Sequence, residues 1–250
     1  AIGAARVREL VLIGVGREPS TSALSPALET FSAECTSQNL AEALAKLGTL
    51  RRATLEVSPT DAHNNRSLAW IIRGNPDLRE LAVLRRGLVE EEWAAVAELA
   101  HLEKLRVKGV GAATAQQRMQ WSRLQELDLW GDTLPPTLDF LPATLRRLRL
   151  KWSEHGSDAT LWPAVLQAAR RCESLSSLRL WPSLSVSLSQ AIGTLIEGLR
   201  GWDRLEEFGV LLKGRLGEAD ATDEMLELAA VLGDLDLVRL ELHCSLALSG

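Results

Sequence analysis

Ten times along the chain, an apolar residue is followed by two more at the fourth and sixth positions of a short segment. No other feature of the sequence limits the possible folds so tightly. The clearest copies are Leu124-Gln-Glu-Leu-Asp-Leu-Trp130 and Leu145-Arg-Arg-Leu-Arg-Leu-Lys151. Counted from the first apolar residue, the units start at Val7, Leu28, Leu50, Leu78, Leu102, Leu124, Leu145, Leu175, Leu205 and Leu237. Their spacings are 21, 22, 28, 24, 22, 21, 30, 30 and 32 residues. Leucine is common here, so a single triplet means little; ten in series at such spacings are not chance. Positions 4 and 6 share one face of a strand, because strand side chains alternate with period two. One strand cannot bury that face alone, so each unit must stack on its neighbours.

Between the strands the apolar period becomes helical. Glu90 to Ala100 places acids in a first turn and a spaced apolar stripe behind them, the pattern of a helix. Ala62 to Arg73, Ala159 to Cys172, Ser189 to Arg200 and Ala221 to Leu232 read the same way. Gly201 and Gly233 are the expected C-terminal caps of the last two. Thr133 to Pro142, and its counterpart Pro19 to Pro26, are too short and too rich in proline for a helix. The expectation is a mixed array: units of 21–24 residues with extended backs and units of 28–32 with helical ones.

This pattern resembles the leucine-rich-repeat family, whose units span about 20–29 residues. The resemblance covers residues 7 to 245. It implies an α/β fold: one solenoid domain over residues 1–250, shaped as a horseshoe or arc. A parallel β-sheet would line the concave face, with helices and extended segments on the convex face. The family places Asn or Cys at position 9, where a side-chain ladder satisfies loop backbone. Here the position holds Val15, Thr36, Ser58, Arg86, Val110, Asp132, Ser153, Ser183, Lys213 and Ser245, so that ladder is missing. Cysteine-bracketed caps of extracellular members are missing too. Cys35, Cys172 and Cys244 are scattered, which fits unpaired thiols in a reducing, intracellular compartment, cytoplasmic or organellar. Ala1-Ile-Gly-Ala-Ala-Arg6 has neither an initiator Met nor a secretory core and reads as the start of a trimmed piece of a longer chain.

Several function classes lose support. A net charge of −5 gives no global attraction to nucleic acid or anionic membrane, and no run of eighteen apolar residues would span a bilayer. His63, His101, His155 and His243 are as scattered as the cysteines, so neither metal nor cofactor is expected. Gly14-Val-Gly16 follows a strand, but Pro19 stands where a dinucleotide fingerprint needs its third glycine; Gly109-Val-Gly111 repeats the same turn. Glu90 to Glu92 and Asp220 to Glu224 sit at helix starts, where the helix dipole accounts for them. An enzyme is not expected.

Positions 3, 5 and 7 of each strand should face away from the core, and stacking aligns them into columns. Column 3 alternates in sign through Arg52, Glu80, Lys104, Glu126 and Arg147, an arrangement that sets stacking register. Columns 5 and 7 bring together Arg106, Lys108, Asp128, Trp130, Arg149, Lys151, Arg179 and Trp181 as a candidate partner-binding patch. Trp and Arg are enriched in interface hot spots and suit each other in cation–π contacts. The other reading is self-packing, with the indoles covering their neighbours' stems or packed under a terminal extension outside this sequence. Trp121 and Trp202, three residues ahead of a unit start, should be core, as should Trp70, Trp93, Trp162 and Cys172.

The expected function is a non-catalytic interaction module or scaffold. Its concave face would hold a protein with acidic and apolar surface, as in a subunit of a larger assembly. The alternative is the ligand-sensing region of an immune-type receptor or a substrate adaptor, and a nucleic-acid surface ranks below both. The terminal repeats are expected to lie under missing chain or another subunit, because an uncapped sheet edge invites aggregation.

Overall fold

The computed structural model describes residues 7–12, 24–33, 38–56, 65–109, 121–131, 138–153, 161–183, 188–215 and 222–247. The chain forms two compact units, Ala1–Leu124 and Gln125–Gly250. In the first, β1 (Glu9–Leu12), β2 (Thr30–Ala33), β3 (Arg52–Glu56), β4 (Glu80–Gly87) and β5 (Lys104–Lys108) lie side by side in chain order. Helices α1 (Gln38–Leu47), α2 (Asn65–Gly74) and α3 (Glu90–Ala97) follow β2, β3 and β4. The second holds β6 (Glu126–Gly131), β7 (Arg147–Ser153), β8 (Ser177–Ser183), β9 (Glu207–Arg215) and β10 (Arg239–Ala247), again in chain order. Here α4 (Leu161–Arg170), α5 (Leu188–Leu199) and α6 (Thr222–Gly233) follow β7, β8 and β9. Within each unit the strand pairs are parallel. The fold is thus a repeat-like α/β arrangement, and every strand opens at position 3 of its sequence unit.

A backbone device recurs at each step within the two units. The carbonyl at position 2 of one strand accepts the N–H groups of positions 2 and 3 of the next. Arg8 accepts from Glu29 and Thr30, and Glu29 from Arg51 and Arg52. In the second unit Gln125 accepts from Arg146 and Arg147, and Glu206 from Val238 and Arg239. Just before the strand a turn is closed from position 1 back three residues: Leu102 N–H donates to Leu99, Leu124 to Trp121 and Leu175 to Cys172. That turn is why Leu99, Trp121 and Cys172 are buried, as the spacing predicts.

The leucines at positions 1, 4 and 6 form the core. Leu50, Ala53 and Leu55, or Leu145, Leu148 and Leu150, are shut away from solvent. Trp152 at position 8 joins them, edge-on to Trp162 with ring centroids 5.6 Å apart. Helices add a second layer that packs neighbour to neighbour. Two glycines set its spacing: a Cβ on Gly74 would lie 2.2 Å from the Ala45 carbonyl oxygen, and one on Gly198 would lie 2.3 Å from Leu166 Cδ1. No described helix is long and apolar enough to cross a membrane.

Some expectations change. Two of the shorter units, the second and the fourth, 22 and 24 residues long, have helical backs, α1 and α3, rather than extended ones. Leu40, Ala41 and Leu44 are the buried stripe of α1, and Gly48, in the left-handed region with φ 65°, ends it. Gly201 caps α5 in the same way with φ 71°, whereas Gly233 is simply the last residue of α6. Leu138 to Pro142 runs through turns without a helix, as its prolines imply; Pro19 and Thr133 to Thr137 lie outside the described residues. Trp70 is only half-buried, while Trp93, Trp121, Trp162 and Trp202 are core.

Candidate interaction surface

The candidate residues divide between the two units. In the second, the strand register aligns Asp128 with Arg149 and Arg149 with Arg179. Two positions on, Trp130 aligns with Lys151 and Lys151 with Trp181. All stand on odd positions, opposite the leucines. Adjacent strands lie about 4.8 Å apart, so the two indoles flank Lys151 from neighbouring strands. Lys151 is exposed, and Trp130, Trp181 and Arg149 are half-buried. Half-burial leaves part of each indole accessible to solvent.

Arg179 has a different setting. Its side chain is only 12% exposed and lies 3.4 Å from Glu241 and 3.9 Å from Glu207. Glu207 also accepts a hydrogen bond from Ser177 at 2.9 Å, and Glu241 is paired with Arg239. The register places Gly209 between Arg179 and Glu241, leaving room for the arginine stem. Arg179 is therefore committed to a network within its own unit. The strand pattern gives no hint of this, because the bridging residue is a glycine.

In the first unit Arg106 is exposed and aligns with Ala82, while Lys108 is half-buried. Lys108 is paired not with Leu84, as the columns predict, but with Gly87, because the register shifts after Val83. The shift is a built feature. Arg85 has φ 76° and reaches Glu56 at 2.6 Å. Arg86 turns the other way and donates to the fully buried Glu92 at 2.7 Å and to the Gly87 carbonyl at 2.8 Å. Glu92 in turn accepts the Val89 N–H at 2.9 Å, opening α3. At position 9, where the resembled family would use Asn, this unit uses a buried Arg–Glu pair.

Asn75 does ladder-like work at another place. It is wholly buried, three residues ahead of a unit start. Its Oδ1 accepts the Leu50 N–H at 3.0 Å, and its Nδ2 donates to Leu44 O at 3.0 Å and Ile71 O at 2.8 Å. The helix-ending Gly74-Asn-Pro76 run marks the place but not the role.

Two column 3 pairs meet within their units, Lys104 4.0 Å from Glu80 and Arg147 3.5 Å from Glu126, whereas Arg52 Nε donates to Thr30 Oγ1 at 3.0 Å. Asp77 is held below its usual carboxylate range, first by the hydrogen bond from Arg51 and then by that guanidinium's charge. Burial pushes the Cys172 thiol from 9.0 up to about 11, against a smaller pull from Arg171. The Gly14, Gly16 and Gly111 turns lie outside the described residues. Among those described, no three His, Cys, Asp or Glu residues gather as a metal would need.

A groove of about 230 Å³ runs between α4 and α5, lined by Leu166, Gln167, Arg170, Thr194 and Glu197. Arg170 there is occupied: it stacks 5.6 Å from the Trp202 ring and donates to the Arg200 carbonyl. Compared with protein-family models and with curated proteins, the sequence matches none.

Proposed function

We propose that this chain is a leucine-rich-repeat-type solenoid acting as a non-catalytic interaction module. In this reading the face opposite the core holds a protein segment of acidic and apolar character. The observation that carries it is the rung Trp130, Lys151, Trp181, aligned strand to strand with a cation between two half-open indoles. Such a rung offers flat apolar contact on both sides of a charge that attracts carboxylates. Arg149 extends the positive charge on the same strand. Arg106 and Lys108 belong to the other unit and are tested separately. A fixed scaffold role, a receptor's sensing region and an adaptor all use such a face; the domain attached to it separates them.

The test is binding of short peptides that alternate Asp or Glu with Leu or Phe, read by fluorescence anisotropy. Trp130→Ala with Trp181→Ala should weaken binding by roughly tenfold or more, as loss of a hot spot does, with the chain still unfolding cooperatively in a thermal melt. Lys151→Glu should shift preference away from the acidic peptides. Equal binding by the parent and the double variant excludes the rung as the site.

A further inference from the structure

We infer that the segment held by this face is extended, runs along β7 and carries two carboxylates two residues apart. The inference rests on the Trp130, Lys151, Trp181 rung being the contact site, and it adds the conformation and the acid spacing of the occupant. Four cations stand on the odd positions of β6, β7 and β8: Arg147, Arg149, Lys151 and Arg179. Arg147 is paired with Glu126 at 3.5 Å, and Arg179 lies 3.4 Å from Glu241. Among the described residues Arg149 and Lys151 have no ion-pair partner. The two open cations thus lie in line on one strand, not side by side across strands.

The spacing follows from the strand. Residues two apart share a face and stand roughly 6.7 Å from each other along the chain. An extended peptide has the same repeat, so acids on alternate residues meet Arg149 and Lys151 together. The width follows from the rung. Trp130 and Trp181 align with Lys151 from the strands on either side. Two strand spacings set them about 9.6 Å apart at the backbone. An α-helix with its side chains is about 10–12 Å across and is too broad to settle between them. One extended chain needs a single strand spacing. A glutamate over Lys151 also brings its methylene stem to the indoles, which joins the apolar and acidic parts of the contact in one residue.

The test uses the 250-residue chain and labelled peptides of one composition, in which two glutamates are placed one, two, three or four residues apart. Fluorescence anisotropy should show the two-residue spacing binding about three- to fivefold tighter than the others, the reach of one further partly exposed ion pair. Proline between the two glutamates bars a helix and favours extended backbone, and should keep that affinity. In Arg149→Gln the preference for this spacing should vanish while binding persists. Trp130→Ala with Trp181→Ala should weaken every peptide alike. Circular dichroism melts confirm that the variants fold. Equal affinity at all spacings, still lost in the tryptophan variant, overturns the inference and leaves the contact site standing. Loss of binding on inserting proline, or tighter binding by an alanine-rich helical peptide with acids four apart, overturns it in the same way. Binding that ignores the tryptophan variant, or no binding at all, removes the site and the inference with it.

Discussion

Arg179 on β8 crosses over β9 and holds its guanidinium 3.4 Å from the Glu241 carboxylate on β10. Gly209 makes the crossing possible, since a Cβ at that point would stand 3.2 Å from Arg179 Cγ. With Glu207 and Glu241 left facing each other without their shared cation, Arg179→Ala should lower unfolding stability by about 2 kcal/mol. Gly209→Val should cost about 1–3 kcal/mol by crowding the arginine stem. Urea denaturation with an unchanged m value reads both. A silent Gly209→Val would mean that the stem does not depend on that space.

Helix α5 contains a paired experiment. Alanine in place of glycine inside a helix ordinarily adds about 0.5–1 kcal/mol. A methyl group on Gly193 would meet nothing within 4 Å, so Gly193→Ala should be stabilising. At Gly198 the same change drives a methyl into Leu166, so Gly198→Ala should destabilise by about 1–3 kcal/mol. Opposite signs in thermal melts support close packing of α4 on α5; two stabilising changes would rule it out.

The Arg86–Glu92 pair has a sharper signature. Glu92 is 0% exposed, so Arg86→Met strands a buried carboxylate and should cost about 3–5 kcal/mol. The double change, Arg86→Met with Glu92→Leu, should cost less than the sum of the two singles. A double-mutant cycle measures that coupling. Additivity would mean that the two side chains do not act as a pair.

Two groups tie stability to pH in opposite directions. The Cys172 thiol is raised, so the stability it contributes is complete below pH 9.0 and is lost as pH climbs through about 11. Cys172→Ala should remove that alkaline loss from a pH series of melts. In a chain with Cys35→Ser and Cys244→Ser, Cys172 should react slowly with a thiol reagent at about pH 8, below the usual thiol range, until unfolded; fast labelling of the native chain contradicts its burial. Asp77 is lowered, so its contribution is present above pH 3.8 and disappears as pH falls below that. Asp77→Asn should flatten the acid limb, and an unaltered limb would exclude the Arg51 contact as its cause.

The apolar spacing made most of the fold legible. Position 3 as the start of every strand, and the columns Glu126 to Arg147 and Trp130 to Lys151 to Trp181, follow from period-two alternation plus a fixed unit. What escaped depends on local geometry or on residues distant in sequence. Helix α1 was hidden by the shortness of its unit, although Gly48 was a readable stop signal. The β4 to β5 shift arises from a left-handed Arg85, a conformation that residue type does not announce. Arg179 looked like an open cation because its acids, Glu207 and Glu241, lie one and two repeats away. Asn75 satisfies backbone groups 25 and 31 residues back, beyond the reach of any local pattern.

Stacked repeats usually behave as a one-dimensional chain in which each layer senses only its immediate neighbour. The span from Arg179 to Glu241 adds a link between layers once removed. Peeling β10 away therefore also releases an interaction held by β8, and fraying at this end begins as a multi-layer event. Amide protons of β9 and β10 should consequently exchange as one cooperative block rather than in a graded series from the edge inward.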